Sequence, residues 1–266
     1  MARDSASDPR HIRHYLRAVA RNTEECYGLP RGILGDTPAG ALPRGNIIHF
    51  PSNLNRAILT AEGGVVACSD ANLAAAIART ISQRVGDDYV ALLSKLQAAL
   101  KQSLKCNVYV DYSLERIAHR DAGLPAAVCS LGVFLYCDKP KPVATELREK
   151  VEMLRPSDVH DQHFLPTTEH VCTIRLGSLV AATAWNLPRT KVDERRFHAL
   201  GVWTRKPYWG RGFGKAVVSA LVEHIASEHG IAGWSWDDVR NVASGKIAHS
   251  VGFVEHMWVL SWELRK

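Results

Sequence analysis

The stretch that most constrains this chain is GVWTRKPYWGRGFGKAVVSALVEHIASEHG, residues 201–230. Three glycines fall within five residues at its centre (Gly210, Gly212, Gly214). Before them runs an apolar, strand-like segment, and after them a run rich in alanine and valine that reads as a helix over 215–229, with Gly230 as its stop. Glycines at a strand-to-helix turn allow positive φ and a close approach of backbone to ligand. The helix that follows offers unpaired N–H groups and the positive end of its dipole. Together these form an anion site suited to phosphate, to which Arg211 and Lys215 add charge. The alternating glycines do not fit G-x-G-x-x-G. Lys215 is followed by Ala216, so the Walker loop fails as well. A turn made for tight packing is the alternative that glycines alone leave open.

The rest of the chain reads as alternating elements. Residues 57–69 suggest a hairpin through Gly63-Gly64, and Ser69 or Asp70 is placed to cap a helix over 72–85. Residues 89–104 form a second amphipathic pattern, and 106–113 and 126–137 read as strands. The polar, proline-containing segment DKPKPVATELREK suggests a boundary, dividing the chain into 1–144 and 145–266. Beyond it, the segment from Val151 reads as a short strand ending in Pro156, and 169–187 as two strands turning at Leu176-Gly177-Ser178. Residues 195–204 read as a strand buried on both faces near its end. A strand at 231–238, a short helix closing at Gly252 and a final strand from Glu255 complete the order.

The order strand, YWGRGFGK, helix, GWSW, NVASGKIAHSVGF resembles the GNAT superfamily of acetyl-CoA-dependent N-acetyltransferases. Its loop pattern, [RQ]-x-x-G-x-[GA], aligns with Trp209-Gly210-Arg211-Gly212-Phe213-Gly214. Its later pattern, N-x-x-[AS] followed by a helix and G-F, aligns with Asn241 to Ser244 and Gly252-Phe253. The resemblance covers about 150–266. It implies an α/β (α+β) fold with a mixed, twisted sheet flanked by helices, and an N-terminal α/β region of the kind that forms a degenerate second module. It also implies acetyl-CoA held by Val202, Trp203, Thr204, Trp209, Gly210, Arg211, Gly212, Phe213, Gly214, Lys215, Asn241 and Ser244. Two positions depart from the pattern. Trp209 stands where the family has Arg or Gln. Ala248 stands where many members carry a tyrosine that protonates the leaving thiolate.

By this resemblance an amine attacks the acetyl thioester, which requires a base to keep the amine neutral. The candidates are Glu194, His198, Asp237 and Asp238, with Ser244 on the thioester side; Glu169 and His170 are weaker ones. His198 shares a strand face with Val202 and Thr204 by period-two counting. Each candidate also has a plain structural reading: a sheet histidine, a surface ion pair beside Arg195 and Arg196, a turn cap. His160, His163 and His170 lack the carboxylate spacing of a metal motif, so no metal is expected. All seven tryptophans lie in the last 82 residues, either as sheet core or, at Trp203, Trp234 and Trp236, as walls for a sugar or a cation.

The net charge of +6 is dispersed, +4 over 1–150 and +2 over 151–266, which suits a phosphorylated ligand but not nucleic acid. No apolar run of ~18 residues suggests a membrane span. Six scattered cysteines without C-x-x-C, and no apolar signal core, suggest reduced thiols in the cytoplasm. The expected activity is acetyl transfer to a small hydrophilic amine, such as an aminoglycoside of the kasugamycin type, by a monomer or homodimer. Acetylation of a protein or peptide amine and non-catalytic acetyl-CoA sensing are the alternatives.

Overall fold

The structure is a computed structural model, described here for residues 20–21, 23–25, 29, 34, 47–60, 64–82, 88–110, 126–155, 169–188, 197–228, 230–236 and 239–265. Contacts divide the chain into two units interleaved in sequence. One comprises 1–12, 135–235 and 243–254, the other 13–134, 236–242 and 255–266. Each contains strands and helices, and the architecture is mixed α/β, as expected.

The second unit contains β1 (Ile47–Phe50), β2 (Arg56–Leu59), β3 (Gly64–Ala67), β4 (Asn107–Val110), most of β5 (Ala126–Cys137) and nearly all of β11 (Val254–Arg265). The hairpin forms as expected, with Leu59 opposite Gly64 and Arg56 opposite Ala67. This unit also carries the helices α1 (Ala71–Ser82) and α2 (Tyr89–Leu104). Asp70, rather than Ser69, caps α1: its Oδ1 accepts from the N–H groups of Asn72 and Leu73 at 2.8 and 3.1 Å. The last strand pairs with the early chain, Trp258 opposite Leu59 and Ser261 opposite Arg56. Met257, Trp258, Val259, Leu260 and Trp262 are all buried, so apolar side chains on both faces of β11 are covered.

The first unit orders its strands β10-β9-β8-β7-β6. These are β6 (Val151–Leu154), β7 (Val171–Leu176), β8 (Leu179–Pro188), β9 (Phe197–Thr204) and β10 (Ile231–Trp236). All neighbours are antiparallel except β9 and β10. The segment expected as a linker carries a short helix, α3 (Thr145–Arg148). The long helix α4 (Phe213–Ser227) packs on β7, β8 and β9 and buries ten of its fifteen residues. Burial of most of the helix explains its alanine–valine composition, while Glu223, His224 and Ser227 at its C-terminal end stay at least partly exposed. α5 (Val242–Val251) follows, ending where the N–H groups of Gly252 and Phe253 reach the Ala248 carbonyl.

Two expectations need correction. α4 begins at Phe213, two residues before Lys215, because Gly212 itself serves as the left-handed N-cap. The end of β9 is half-buried rather than buried: Leu200 to Thr204 all keep intermediate exposure. The reason is the sheet. Among the described residues the β9–β10 ladder runs only from Phe197–Ile231 to Ala199–Gly233. The β8–β9 ladder continues to Thr204.

Four of the five described cysteines are buried, and none is in a disulfide. Burial pushes the Cys129 thiol up to about 11 and those of Cys137 and Cys172 up to about 12, so none is a ready nucleophile. No described helix is long and apolar enough to cross a membrane.

Candidate functional site

The glycine loop starts where β9 ends. Arg205 leads into a 3-10 turn over Lys206–Tyr208, closed by Tyr208 N–H to the Arg205 carbonyl at 2.9 Å. Gly210 and Gly212 then adopt φ of +76° and +78°. Both values lie in the left-handed region that side chains disfavour. A β-carbon at Gly210 would meet nothing within 4 Å, so open space lies above that backbone. Gly214 has a different role. It is already helical, and its missing side chain leaves room for Thr204 Oγ1 at 3.0 Å and Ile247 Cδ1 at 3.2 Å. The first i→i−4 bond of α4 joins Ala216 N–H to the Gly212 carbonyl at 3.0 Å. Helix geometry therefore leaves the N–H groups of Phe213, Gly214 and Lys215 without helical partners.

Trp209 replaces the family's Arg or Gln with a bond of its own. Its indole Nε1 donates to the Thr204 carbonyl at 2.6 Å, tying the loop back to the end of β9. Arg211 lies over the Tyr208 ring at 5.4 Å, and that ring stacks on Phe213 at 6.0 Å. Trp203 is half-buried, with the Arg205 guanidinium 5.5 Å from its ring. Val202 stands opposite Ala184, and Thr204 opposite Ala182.

Trp234 is 4% exposed and donates to Ser244 Oγ at 3.1 Å. Trp236 is 6% exposed and donates to the Asn241 carbonyl at 3.0 Å. Both rings pack as core, and both hold residues from the later sequence pattern. Ala248 is fully buried.

At the opposite end of β9 lies a polar array. Asn186, on β8, is fully buried. Its Oδ1 accepts from the N–H groups of Glu169 and His170 at 3.1 and 2.7 Å. Those two donors fix which end of the amide is oxygen. Nδ2 must then donate, and it lies 3.3 Å from Glu169 Oε2 and 3.0 Å from His198 Nδ1. His198 Nδ1 is therefore an acceptor, and the neutral ring carries its proton on Nε2. Burial lowers the His198 pKa; Glu169 and Glu228 oppose this, while His170 and His224 add to it. Gly230 packs beside the ring, where a β-carbon would sit 3.1 Å from His198 Cδ2. Glu169 Oε2 is 4.0 Å from His198 Nδ1, and the Glu169 side chain is about half exposed.

The array joins His198 to Glu169 and His170, which the sequence reading ranked lower. It also adds Asn186, which that reading missed. The available signal was a lone amide in an otherwise apolar strand. Glu194, Asp237 and Asp238 lie outside the described residues, as do His160 and His163.

A strand, a loop with two left-handed glycines and the start of a buried helix follow one another in an α/β domain. The segment 170–254 matches the family model described as an acetyltransferase (GNAT) domain. Solved structures it resembles include a GNAT-family protein from Novosphingobium aromaticivorans, 18% identical, TM-score 0.40, covering 52% of this chain and 65% of that one. A GNAT-family acetyltransferase from Colwellia psychrerythraea is 12% identical, TM-score 0.41, with 53% and 65% covered. A Salmonella typhimurium protein solved with acetyl-CoA as its cofactor is 17% identical, TM-score 0.29, with 34% and 62% covered. The chain thus spans about 65% of the length of the first two. No curated protein matches it.

Proposed function

We propose that this chain moves an acetyl group from acetyl-CoA to a primary amine of a small hydrophilic molecule. The observation that carries this reading is the left-handed pair Gly210 and Gly212 before the free N–H groups of α4. Backbone donors in that arrangement hold a pyrophosphate, with Arg211 and Lys215 adding charge. Val202, Trp203 and Thr204 lie on the part of β9 beyond its described ladder with β10. That strand edge suits the amide groups of an extended pantetheine arm, and Asn241 and Ser244 remain cofactor candidates by their sequence pattern. Acetyl-CoA supplies the activated carbonyl, and the chain's residues supply position and proton handling.

The described β9–β10 ladder reaches Ala199–Gly233, so an arm running down β9 ends near His198. We assign proton acceptance from the amine to the Glu169–Asn186–His198 array. Glu169 is its exposed carboxylate, and His198 is the imidazole held behind it. Glu194 and Asp238 remain candidate bases by sequence, and Ser244 a candidate on the thioester side. The transfer needs no metal. Of the three tryptophans considered as acceptor walls, Trp203 is retained, because its ring is only half-buried.

For the acceptor we propose an amino sugar of the aminoglycoside class, kasugamycin first. The mild positive charge disfavours strongly polycationic members. A non-catalytic acetyl-CoA sensor is the second reading, favoured by the buried Ala248 in place of the family's tyrosine. The test is a panel of amino-sugar antibiotics, simple amines and lysine peptides with acetyl-CoA, read by thiol release and product mass. Turnover with an amino sugar supports the first reading. Peptide acetylation alone replaces it with a protein acetyltransferase, and binding without any turnover replaces it with the sensor.

A further inference from the structure

Three side chains converge at the end of α4 away from the glycine loop. His224 and Glu228 lie one helical turn apart, and His170 comes from the segment entering β7. His224 Nε2 is 3.1 Å from His170 Nδ1 and 3.5 Å from Glu228 Oε1. His170 Nε2 is 3.5 Å from Glu228 Oε2. One ligand atom from each residue lies within 4.8 Å of the others.

We propose that His170, His224 and Glu228 bind a divalent transition-metal cation of the zinc type. Zinc takes imidazole nitrogen and carboxylate oxygen at roughly 2.0–2.2 Å in a tetrahedron, which puts neighbouring ligand atoms about 3.3 Å apart. The contacts of 3.1 and 3.5 Å involve both His170 nitrogens and both Glu228 oxygens, so they show the three side chains converging; one donor from each lies within 4.8 Å of the others, and a small side-chain adjustment would close them to that edge length. Two imidazoles with one carboxylate favour zinc, cobalt or nickel over calcium and magnesium, which prefer all-oxygen shells. The C-terminal end of α4 adds the negative end of its dipole, which favours a cation there.

The ligands are also held in place. The His170 N–H donates to buried Asn186 Oδ1 at 2.7 Å, so the segment is anchored just where it offers its ring. His170 and His224 side chains are 24% and 29% exposed, and Glu228 49%, leaving solvent access for water as a fourth ligand. His198 is not in the set, because its Nδ1 is taken by Asn186. From 213 to 224 the helix axis advances ~16 Å, so the cation stands well apart from the proposed pyrophosphate cradle. Its effect is to clamp the entrance of β7 to the end of α4. The proposal does not depend on the acetyl-transfer reading. It also gives His170 a carboxylate partner on the helix, Glu228.

The experiment is a Co²⁺ titration of the full-length chain after chelator treatment, followed by visible absorption, then competition with Zn²⁺. One Co²⁺ per chain is expected, with the strong visible bands of tetrahedral nitrogen–oxygen coordination, displaced by Zn²⁺. Glu228→Gln, on an exposed helix end, should weaken binding at least tenfold, and His224→Ala should abolish the bands. Three results would overturn the site: no stoichiometric uptake by the wild-type chain, a cobalt–thiolate charge-transfer band placing the ion on cysteine, or undiminished affinity in both variants. In the first case the two imidazoles are only a hydrogen-bonded pair. The wild-type spectrum decides coordination type even if His224→Ala folds poorly.

Discussion

The indole of Trp185 lies directly across Gly201, its partner on the neighbouring strand. A β-carbon at 201 would overlap Trp185 Cε2, Cζ2 and Nε1. Trp185 packs with Val171 in a core cluster that Leu154, Leu187 and Trp203 flank. This glycine is therefore required by packing, one strand position before the edge assigned to acetyl-CoA. Gly201→Ala should destabilise the chain by about 1–3 kcal/mol, the usual range for overpacking. Denaturant unfolding measures it; an unchanged midpoint would mean that the ring moves aside without cost.

The cradle makes a sharper prediction, because its glycines differ. Gly212→Val forces a β-branched residue into a left-handed conformation and brings it against Leu147 Cδ1. Acetyl-CoA affinity should fall by a hundredfold or more. Arg211→Ala, which removes only a charge lying over Tyr208, should cost less than tenfold. Calorimetry showing equal affinity for wild type and Gly212→Val would remove the loop as the cofactor site.

Asn186 is predicted to control His198. In Asn186→Asp a carboxylate replaces the amide beside Nδ1 and opposes the burial that now lowers the His198 pKa. The His198 titration should therefore move up, followed through its ring proton resonance. If His198 serves the transfer, the acid limb of kcat/KM moves in the same direction. Glu169, His170, His224 and Glu228 also act on this ring, so the matching variant of each is the control. A resonance that does not move would show that Asn186 has no electrostatic hold on the ring.

His256 predicts acid sensitivity. It is 4% exposed, neither ring nitrogen has a hydrogen-bond partner among the described residues, and burial lowers its pKa to about 4. The unfolded chain takes up this proton near the ordinary value of about 6.5, while the folded chain does so only near 4. Its contribution is therefore complete above about pH 6.5 and is lost as pH falls toward 4, by roughly 3 kcal/mol in all. His256→Met should flatten stability across that window. Equal pH slopes for the two chains would place the acid sensitivity elsewhere.

Local signals carried far in this chain. Gly210 and Gly212 announced the turn because left-handed φ is a property of the residue, legible without any partner. The hairpin around residues 59–64 and the helix at 89–104 followed from turn chemistry and periodicity, which are also short-range. The start of α4 was misplaced because a glycine N-cap leaves no side-chain mark.

What the tertiary structure alone decided is everything that joins distant segments. The pairing of Trp258 with Leu59 depends on register between strands some two hundred residues apart, and alternation along β11 does not encode its partner. Trp234 and Trp236 read equally well as cleft walls or core; packing buried them and gave their N–H groups to Ser244 and the Asn241 carbonyl. Asn186, His198 and Glu169 meet across three segments, and His170 reaches His224 and Glu228 only because α4 packs on β7. Each of those side chains is ordinary in its own sequence context. Their chemistry comes from proximity, and long-range packing of strands and helix, rather than any local preference, sets that proximity.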